Sequence, residues 1–237
     1  MTIDTGVESA VSASFTVSNN KRKERTNMSL CVAYAGDSTI YLAADSRIVN
    51  NTATQIIDEK YNKIVQIPER NLFVMFAGQA TFFTPEEQSF REIIEGIDFS
   101  GCNQFPDIYN LIYETFFPLY LSEFGDPLNI IIAGFMHEKL CFKEITFFNN
   151  GVFMSVDEWI NKYIYKEDRI FLLGTNNAKG IFSEMIKKSS VPELFHEDSL
   201  TVHSMQDIYR AVSQNDHTVG QITRILKIRP QGYEWLL

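Results

Sequence analysis

Disulfide and metal chemistry find little to work with in this sequence. Its three cysteines, Cys31, Cys102 and Cys141, are too few and too scattered for a disulfide framework. It has no CxxC and no HExxH, and His137, His196, His203 and His217 show no ligand spacing, so neither a metal nor an organic cofactor is expected. The glycine-rich signatures of nucleotide binding, GxGxxG and GxxxxGK, are missing, as is the GxSxG of serine hydrolases. Long apolar runs are missing too. Ile130–Phe135 and Ile170–Leu173 fall far short of the ~20 residues a membrane helix needs, so no membrane partner is expected. The stretch MTIDTGVESAVSASF has neither a positive n-region nor a long apolar core, so no secretory leader is read there, and the unpaired thiols fit a reducing cytoplasm. Positive charge is in deficit: 21 Lys and Arg stand against 30 Asp and Glu, a net charge of −9, which disfavours a nucleic-acid partner.

What is present is material for a folded core. The chain has 237 residues, 45% hydrophobic and 13% aromatic, with 19 phenylalanines. One domain is expected over 29–237. Residues 1–28 differ: they are rich in Ser, Thr, Asn and Val, then carry the basic run Lys21-Arg22-Lys23-Glu24-Arg25. Four basic and three acidic residues make this segment +1, leaving −10 for the rest. It reads as a flexible tail, a propeptide or an over-extended gene start, and the interrupted basic run reads as solvated.

Strands dominate the first part of the body. Ser29–Ala35 and Thr39–Ala44 flank Gly36-Asp37-Ser38 and read as a hairpin ended by Asp45-Ser46-Arg47. Lys63–Ile67 and Leu72–Phe76 flank the turn Pro68-Glu69-Arg70-Asn71. Thr84-Pro85-Glu86-Glu87 predicts a helix start, running to Gly96. Pro106–Phe124 repeats apolar residues at helical spacing, with Pro118 expected to kink or split it. Strands are expected again at Asn129–Gly134, Leu140–Phe148 and Arg169–Leu173, helices at Asn176–Lys188 and Met205–Ser213, and strands at Gln221–Ile228 and Tyr233–Leu236. Blocks of strands alternating with blocks of helices predict layered α/β packing with largely antiparallel sheets.

Four short features carry possible chemistry. In Leu42-Ala43-Ala44-Asp45-Ser46-Arg47 an acid closes an apolar strand, beside a hydroxyl and a guanidinium. A carboxylate there can fix a cation, although an exposed turn with a surface ion pair is the plainer explanation. Lys63 precedes an apolar strand, where its ammonium is either desolvated or simply snorkels to water. Phe76-Ala77-Gly78-Gln79-Ala80 places a glycine after a strand, allowing close approach to a main-chain N–H. Asp216-His217-Thr218-Val219-Gly220 is the fourth.

Singly these are weak, and their order and spacing are the signal. Ser29 opens an apolar strand, Asp45-Ser46-Arg47 begins sixteen residues later, Lys63-Ile64 precedes a strand hairpin ending in Ala77-Gly78, and Asp216-x-x-x-Gly220 precedes a strand near the C-terminus. This arrangement resembles the proteasome β-subunits and the bacterial proteasome-like peptidases, members of the N-terminal nucleophile hydrolases. The resemblance spans about Ser29 to Leu236 and is most specific in its first fifty residues. It implies a four-layer αββα sandwich with two antiparallel sheets flanked by helices. It implies Ser29 as nucleophile, Asp45, Ser46 and Arg47 as the family's Asp–Ser/Lys–Arg run, and Lys63 as the activating lysine. It further implies Gly78 as the oxyanion-hole glycine, Thr175 as the hydroxyl residue at a helix start near the nucleophile, and Asp216 as its supporting acid. The substrate implied is a peptide or a small amide. A homo-oligomer, with a ring among the possible assemblies, is the implied state; no ATPase partner motif is present.

The chain departs from that pattern in four ways. Serine replaces threonine at the nucleophile, Gln79 replaces a second glycine, and Val219 stands where many active members have a second serine. Ser29 also follows residues 1–28, which must be removed to free its α-amine. Either the chain cleaves itself between Met28 and Ser29, or translation starts at Met28 and ordinary methionine removal follows. A free α-amine, with a pKa of about 7.7–8.0, is a suitable base for the hydroxyl. Lys63 would favour the alkoxide, Asp45 would hold Lys63, and the Gly78 N–H would receive the oxyanion. Bland alternatives stand beside this: Ser29 as a strand-edge serine, Cys31 as a small buried hydrophobe rather than a rival nucleophile, His217 as a satisfied histidine, and Ser46 as a strand terminator. Three functions follow: a peptidase using Ser29, a catalytically silent proteasome-like subunit acting in assembly or binding, and an amidase or acyl-transfer enzyme on small molecules.

Overall fold

The computed structural model describes residues 29–36, 38–49, 55–84, 86–123, 128–147, 154–155, 170–187, 194–195 and 197–237. The expected tail 1–28, with the Met28–Ser29 junction, lies outside them, as do Asp37, Pro85, Phe148, Arg169, Lys188 and His196. The strands of the first sheet are β1 (Leu30–Ala35), β2 (Ile40–Asp45), β12 (Ile170–Gly174), β13 (Thr223–Arg229) and β14 (Gly232–Trp235), in the order β12-β1-β2-β13-β14. The second holds β5 (Ile64–Gln66), β6 (Leu72–Ala77), β9 (Leu128–Met136), β10 (Lys139–Phe147) and β11 (Met154–Ser155), in the order β11-β10-β9-β6-β5. Two small pairs, β3 (Ile48–Val49) with β4 (Ile56–Asp58) and β7 (Thr81–Thr84) with β8 (Glu86–Ser89), complete the strands. The described pairings are all antiparallel. The fold is therefore mixed α/β with antiparallel sheets, as the blocks of strands and helices predict.

Period-two alternation decides what each face touches. Cys31, Ala33 and Ala35 of β1 join Phe73, Met75 and Ala77 of β6 in one apolar cluster between the two sheets. The opposite faces bury elsewhere. Leu30 and Val32 pack with Phe182 of α3 (Asn176–Ile186) and with Met205 and Val212 of α4 (Asp198–Asn215). Val74 and Phe76 pack with Ile94 of α1 (Phe90–Gly96) and with Ile108, Ile112 and Phe116 of α2 (Phe105–Glu123). Phe76, Phe90 and Phe116 form a stack, with centroids 4.0 and 4.7 Å apart. Each fully buried ring of this kind stabilises the fold by roughly 1.5–3 kcal/mol.

The structure corrects three local expectations. The helix expected from Thr84 begins at Phe90, because Thr81–Thr84 and Glu86–Ser89 pair as a hairpin. Ser89 caps the helix instead. Its Oγ accepts from Glu92 N at 3.2 Å, and Glu92 Oε2 accepts from Ser89 N at 2.7 Å. That reciprocal pair outcompetes the Thr-Pro-Glu start signal, which supplies only one partner. Of the kink or split expected at Pro118, the split does not occur, since α2 runs through it as one element. Ile108, Ile112, Phe116 and Tyr120 are all buried on one face, and that packing outweighs one missing N–H. The helix expected from Met205 starts at Asp198, because its first inward residue is polar. Thr201 is fully buried, its hydroxyl shared between the Leu194 and Glu197 carbonyls.

The start of α4 is tied to the first sheet by charge. Lys227 Nζ donates to both Asp198 oxygens at 2.5 and 2.6 Å, and Tyr41 Oη donates to Oδ1 at 2.8 Å. Partial burial pushes the Asp198 carboxyl up, but the bonds from Lys227 and Tyr41 outweigh it and leave it below its ordinary 3.8. A depressed carboxyl stabilises the fold above its unfolded pKa, and that stability is lost as pH falls through the folded value. Asp198→Asn is therefore expected to lower Tm at pH 7, with the gap to wild type closing below pH 3.8. A thermal melt series from pH 2 to 7 checks this; a gap independent of pH would remove the ion pair from the explanation.

Candidate active site

The ladder between β1 and β2 ends at the pair Cys31 and Ala44. One residue further, a side chain takes over from the backbone. Asp45 Oδ1 accepts from Leu30 N at 2.9 Å, and Oδ2 accepts from Arg47 N at 3.0 Å and Gly220 N at 3.1 Å. Lys63 Nζ donates to both oxygens at 2.9 Å. A carboxylate with no solvent exposure needs this density of donors, since an unpaired buried charge costs several kcal/mol.

Lys63 comes from the facing sheet. It directly precedes β5, and its carbonyl accepts from Phe76 N of β6 at 3.2 Å. Its side chain is fully buried, and Nζ donates to Ser29 Oγ at 2.7 Å. The ammonium thus has a defined acceptor for each of its three protons: Ser29 Oγ, Asp45 Oδ1 and Asp45 Oδ2. Ser29 is itself 1% exposed.

A second group closes the other side. The Ser29 carbonyl accepts from Thr175 N at 3.3 Å. Thr175 caps α3, its Oγ1 accepting from Ala178 N at 2.9 Å while donating to Asp216 Oδ2 at 2.5 Å. Asp216 Oδ1 accepts from the Thr218 hydroxyl at 2.6 Å and the Thr218 N–H at 3.1 Å. Asp216 ends α4, so the carboxylate is fixed by helix end, loop and helix start together. The 216–220 loop then locks onto the Asp45-Ser46-Arg47 run. Gly220 lies so close that an added Cβ would sit 2.9 Å from Arg47 Cβ, and Arg47 Nη1 donates to the His217 carbonyl at 2.6 Å. Arg47 also pairs with Glu59 at 2.9 Å.

The expected residues therefore fall into three sets. Ser29, Lys63 and Asp45 meet directly, and Thr175 with Asp216 adjoins them through the Ser29 carbonyl. The Ser46 and Arg47 side chains bond the loops around this centre. The Ser46 hydroxyl is placed on the Glu59 and Ile222 carbonyls, at 2.6 and 2.9 Å, and so ends the strand. Gly78 follows β6 with φ of 116°, a backbone conformation that favours glycine. The strand before it meets β1, where the Phe76 carbonyl accepts from Cys31 Sγ at 3.2 Å. Burial pushes the Cys31 thiol far up, the nearby Lys63 charge opposing it only in part. A protonated thiol facing the inter-sheet cluster is a packing group, not a nucleophile.

Sequence reasoning missed Thr218, Gly174 and Tyr209. Val219 is fully buried in the apolar cluster beside Leu30 and Val32, while the adjacent Thr218 turns its hydroxyl to Asp216. Gly174 has φ of 135°, and a Cβ there would sit 2.0 Å from the Ser29 carbonyl oxygen. The Leu-Gly-Thr-Asn step from strand to helix was the available signal for it. Tyr209 carried none, being one more aromatic at helical spacing.

Among the described residues, no group of three or more His, Cys, Asp or Glu side chains is placed to hold a metal ion. No described helix is long and apolar enough to cross a membrane. Comparison with models of known protein families and with curated proteins found no match.

Proposed function

We propose that this chain is a proteasome-like N-terminal nucleophile hydrolase that cleaves peptide or related amide bonds through Ser29. The observation that carries the reading is the buried Ser29–Lys63–Asp45 contact, with Lys63 Nζ 2.7 Å from Oγ and 2.9 Å from both carboxylate oxygens. An ammonium in that position stabilises an alkoxide but cannot take its proton, so a separate base is required. A free α-amine on Ser29 is that base. Oγ attacks the substrate carbonyl carbon, the hydroxyl proton passes to the amine, and the oxyanion is received by the Gly78 N–H. The amine then returns the proton to the leaving nitrogen, giving an ester on Ser29. Water, deprotonated by the same amine, hydrolyses that ester and frees Ser29. Asp216 and Thr175 hold the Ser29 backbone during these steps.

The fold reading is the four-layer αββα sandwich. It is supported by the three apolar clusters, one between the sheets and one beneath each set of helices. A cytoplasmic homo-oligomer belongs to the same reading and rests on the resemblance and the sequence.

The test has two parts. Intact mass of the natively expressed protein is expected to begin at Ser29. Ser29→Ala is expected to abolish release of fluorophore from peptide amides, a loss of at least ~10³-fold set by removal of the attacking atom. A mass retaining Met28, with no difference between wild type and Ser29→Ala, would sink the hydrolase and leave a silent subunit. Cleavage of small amides but not peptides would move the substrate class.

A further inference from the structure

Three groups hold Ser29: Lys63 at its hydroxyl, Thr175 at its carbonyl, and Asp45 through Leu30. A fourth group touches the next residue. Tyr209 is fully buried on α4, and its Oη lies 3.1 Å from the Leu30 carbonyl and 2.9 Å from the Ala43 carbonyl. The β1–β2 ladder ends at Cys31 and Ala44, so Leu30 lies just beyond it. Its N–H goes to Asp45 Oδ1 and its carbonyl to Tyr209. The residue that follows the nucleophile is thus fixed at both its backbone groups by two side chains. Asp45 comes from within the sheet, Tyr209 from the helix packed upon it.

We propose that Tyr209 is a positioning residue for the Ser29 nucleophile, clamping the Leu30 and Ala43 carbonyls so that β1 presents Ser29 to Lys63. The proposal rests on the hydrolase reading. Tyr209 and Asp216 are seven residues apart, close to two helical turns, so one helix end delivers both groups to the site. The phenol has one proton for two carbonyls, so it stitches β1 to β2 through a shared donor. Burial pushes that phenol well above its ordinary value, so at neutral pH it is a donor.

Tyr41 supplies the control. It is also buried, and it donates to Asp198 from the far end of β2. The full chain is compared as wild type, Tyr209→Phe, Tyr41→Phe and Ser29→Ala. Peptide-amide hydrolysis is measured together with amide hydrogen exchange of the peptide covering residues 29–35. Tyr209→Phe is expected to lower kcat roughly 10- to 100-fold, as small misplacements of reacting groups do, with KM within about twofold. It is expected to speed exchange in 29–35 alone, while Tyr41→Phe leaves both unchanged. Equal loss of kcat in both Phe variants, or exchange raised across the whole chain, would reduce Tyr209 to general stability and overturn the proposal. Unchanged kcat and unchanged exchange in Tyr209→Phe would overturn it as well. If wild type and Ser29→Ala are equally inactive, the hydrolase reading fails separately. Exchange then decides whether Tyr209 holds the Ser29 segment.

Discussion

Replacing Lys63 with methionine is expected to destabilise the fold by about 3–5 kcal/mol and to slow hydrolysis ~10²–10³-fold. Methionine fills much of the same volume, so the effect isolates the ammonium. Asp45 is fully buried, and without Lys63 it becomes an uncompensated charge. Three backbone donors remain on it, from Leu30, Arg47 and Gly220, which places the expected loss toward the lower end of that range. Hydrolysis suffers separately, because the cation that stabilises the Ser29 alkoxide is gone; preorganised charge of this kind is worth ~10²–10³ in rate. Urea melts read the first effect and residual activity under native conditions reads the second. The double variant Lys63→Met with Asp45→Asn is expected to be less destabilised than the sum of the singles. The coupling should lie within the usual ~0.5–3 kcal/mol for contacting residues. A Lys63→Met protein as stable as wild type would mean that the ion pair is not closed in solution.

That pair also marks the limit of what could be read from residues in order. Leu30–Ala35 and Leu72–Ala77 are unbroken runs of β-forming and apolar residues between turn signals, so the strands were legible from the sequence. The apolar spacing of α2 was equally plain. The convergence of Ser29, Asp45 and Lys63 was legible only through the spacing resemblance. No local pattern says that the residue before β5 reaches across to a different sheet. Local chemistry misled where two signals competed. Thr84-Pro85-Glu86-Glu87 and Ser89-x-x-Glu92 both look like helix starts, and the hairpin of Thr81–Thr84 with Glu86–Ser89, together with the reciprocal Ser89–Glu92 cap, settles the start at Phe90. At Val219 the resemblance implies a hydroxyl, and the structure instead places one on the preceding residue, Thr218. A loop need not follow a strand's alternation, so Thr218 can face Asp216 while Val219 faces the core. Tyr209 was invisible for the opposite reason: its ring obeys the helical pattern, and only its terminal oxygen does anything a leucine could not.

Two glycines six residues apart should respond to alanine in opposite directions. Gly174→Ala would put a Cβ 2.0 Å from the Ser29 carbonyl oxygen and 2.9 Å from its carbon, both backbone atoms that cannot swing away. Its φ of 135° adds strain of about 1–3 kcal/mol for any residue with a side chain. Relief requires β12 to move off β1, which breaks the 3.3 Å bond from Thr175 N to the Ser29 carbonyl. A total loss of at least ~3 kcal/mol is expected, placing it among the larger single-residue effects. Gly180 lies inside α3 with nothing within 4 Å of an added Cβ. Gly180→Ala is expected to stabilise by about 0.5–1 kcal/mol, through lower entropy of the unfolded chain and better helix propensity. Denaturant midpoints of the two variants decide the matter in one experiment. The Gly174 variant also separates the nucleophile's backbone from its side chain. Lys63 and Asp45 are untouched by the substitution, so activity lost in whatever fraction remains folded is attributable to displacement of Ser29 itself. If Gly174→Ala melts with wild type, β12 does not approach Ser29 this closely, and Thr175 cannot be the residue that holds its carbonyl.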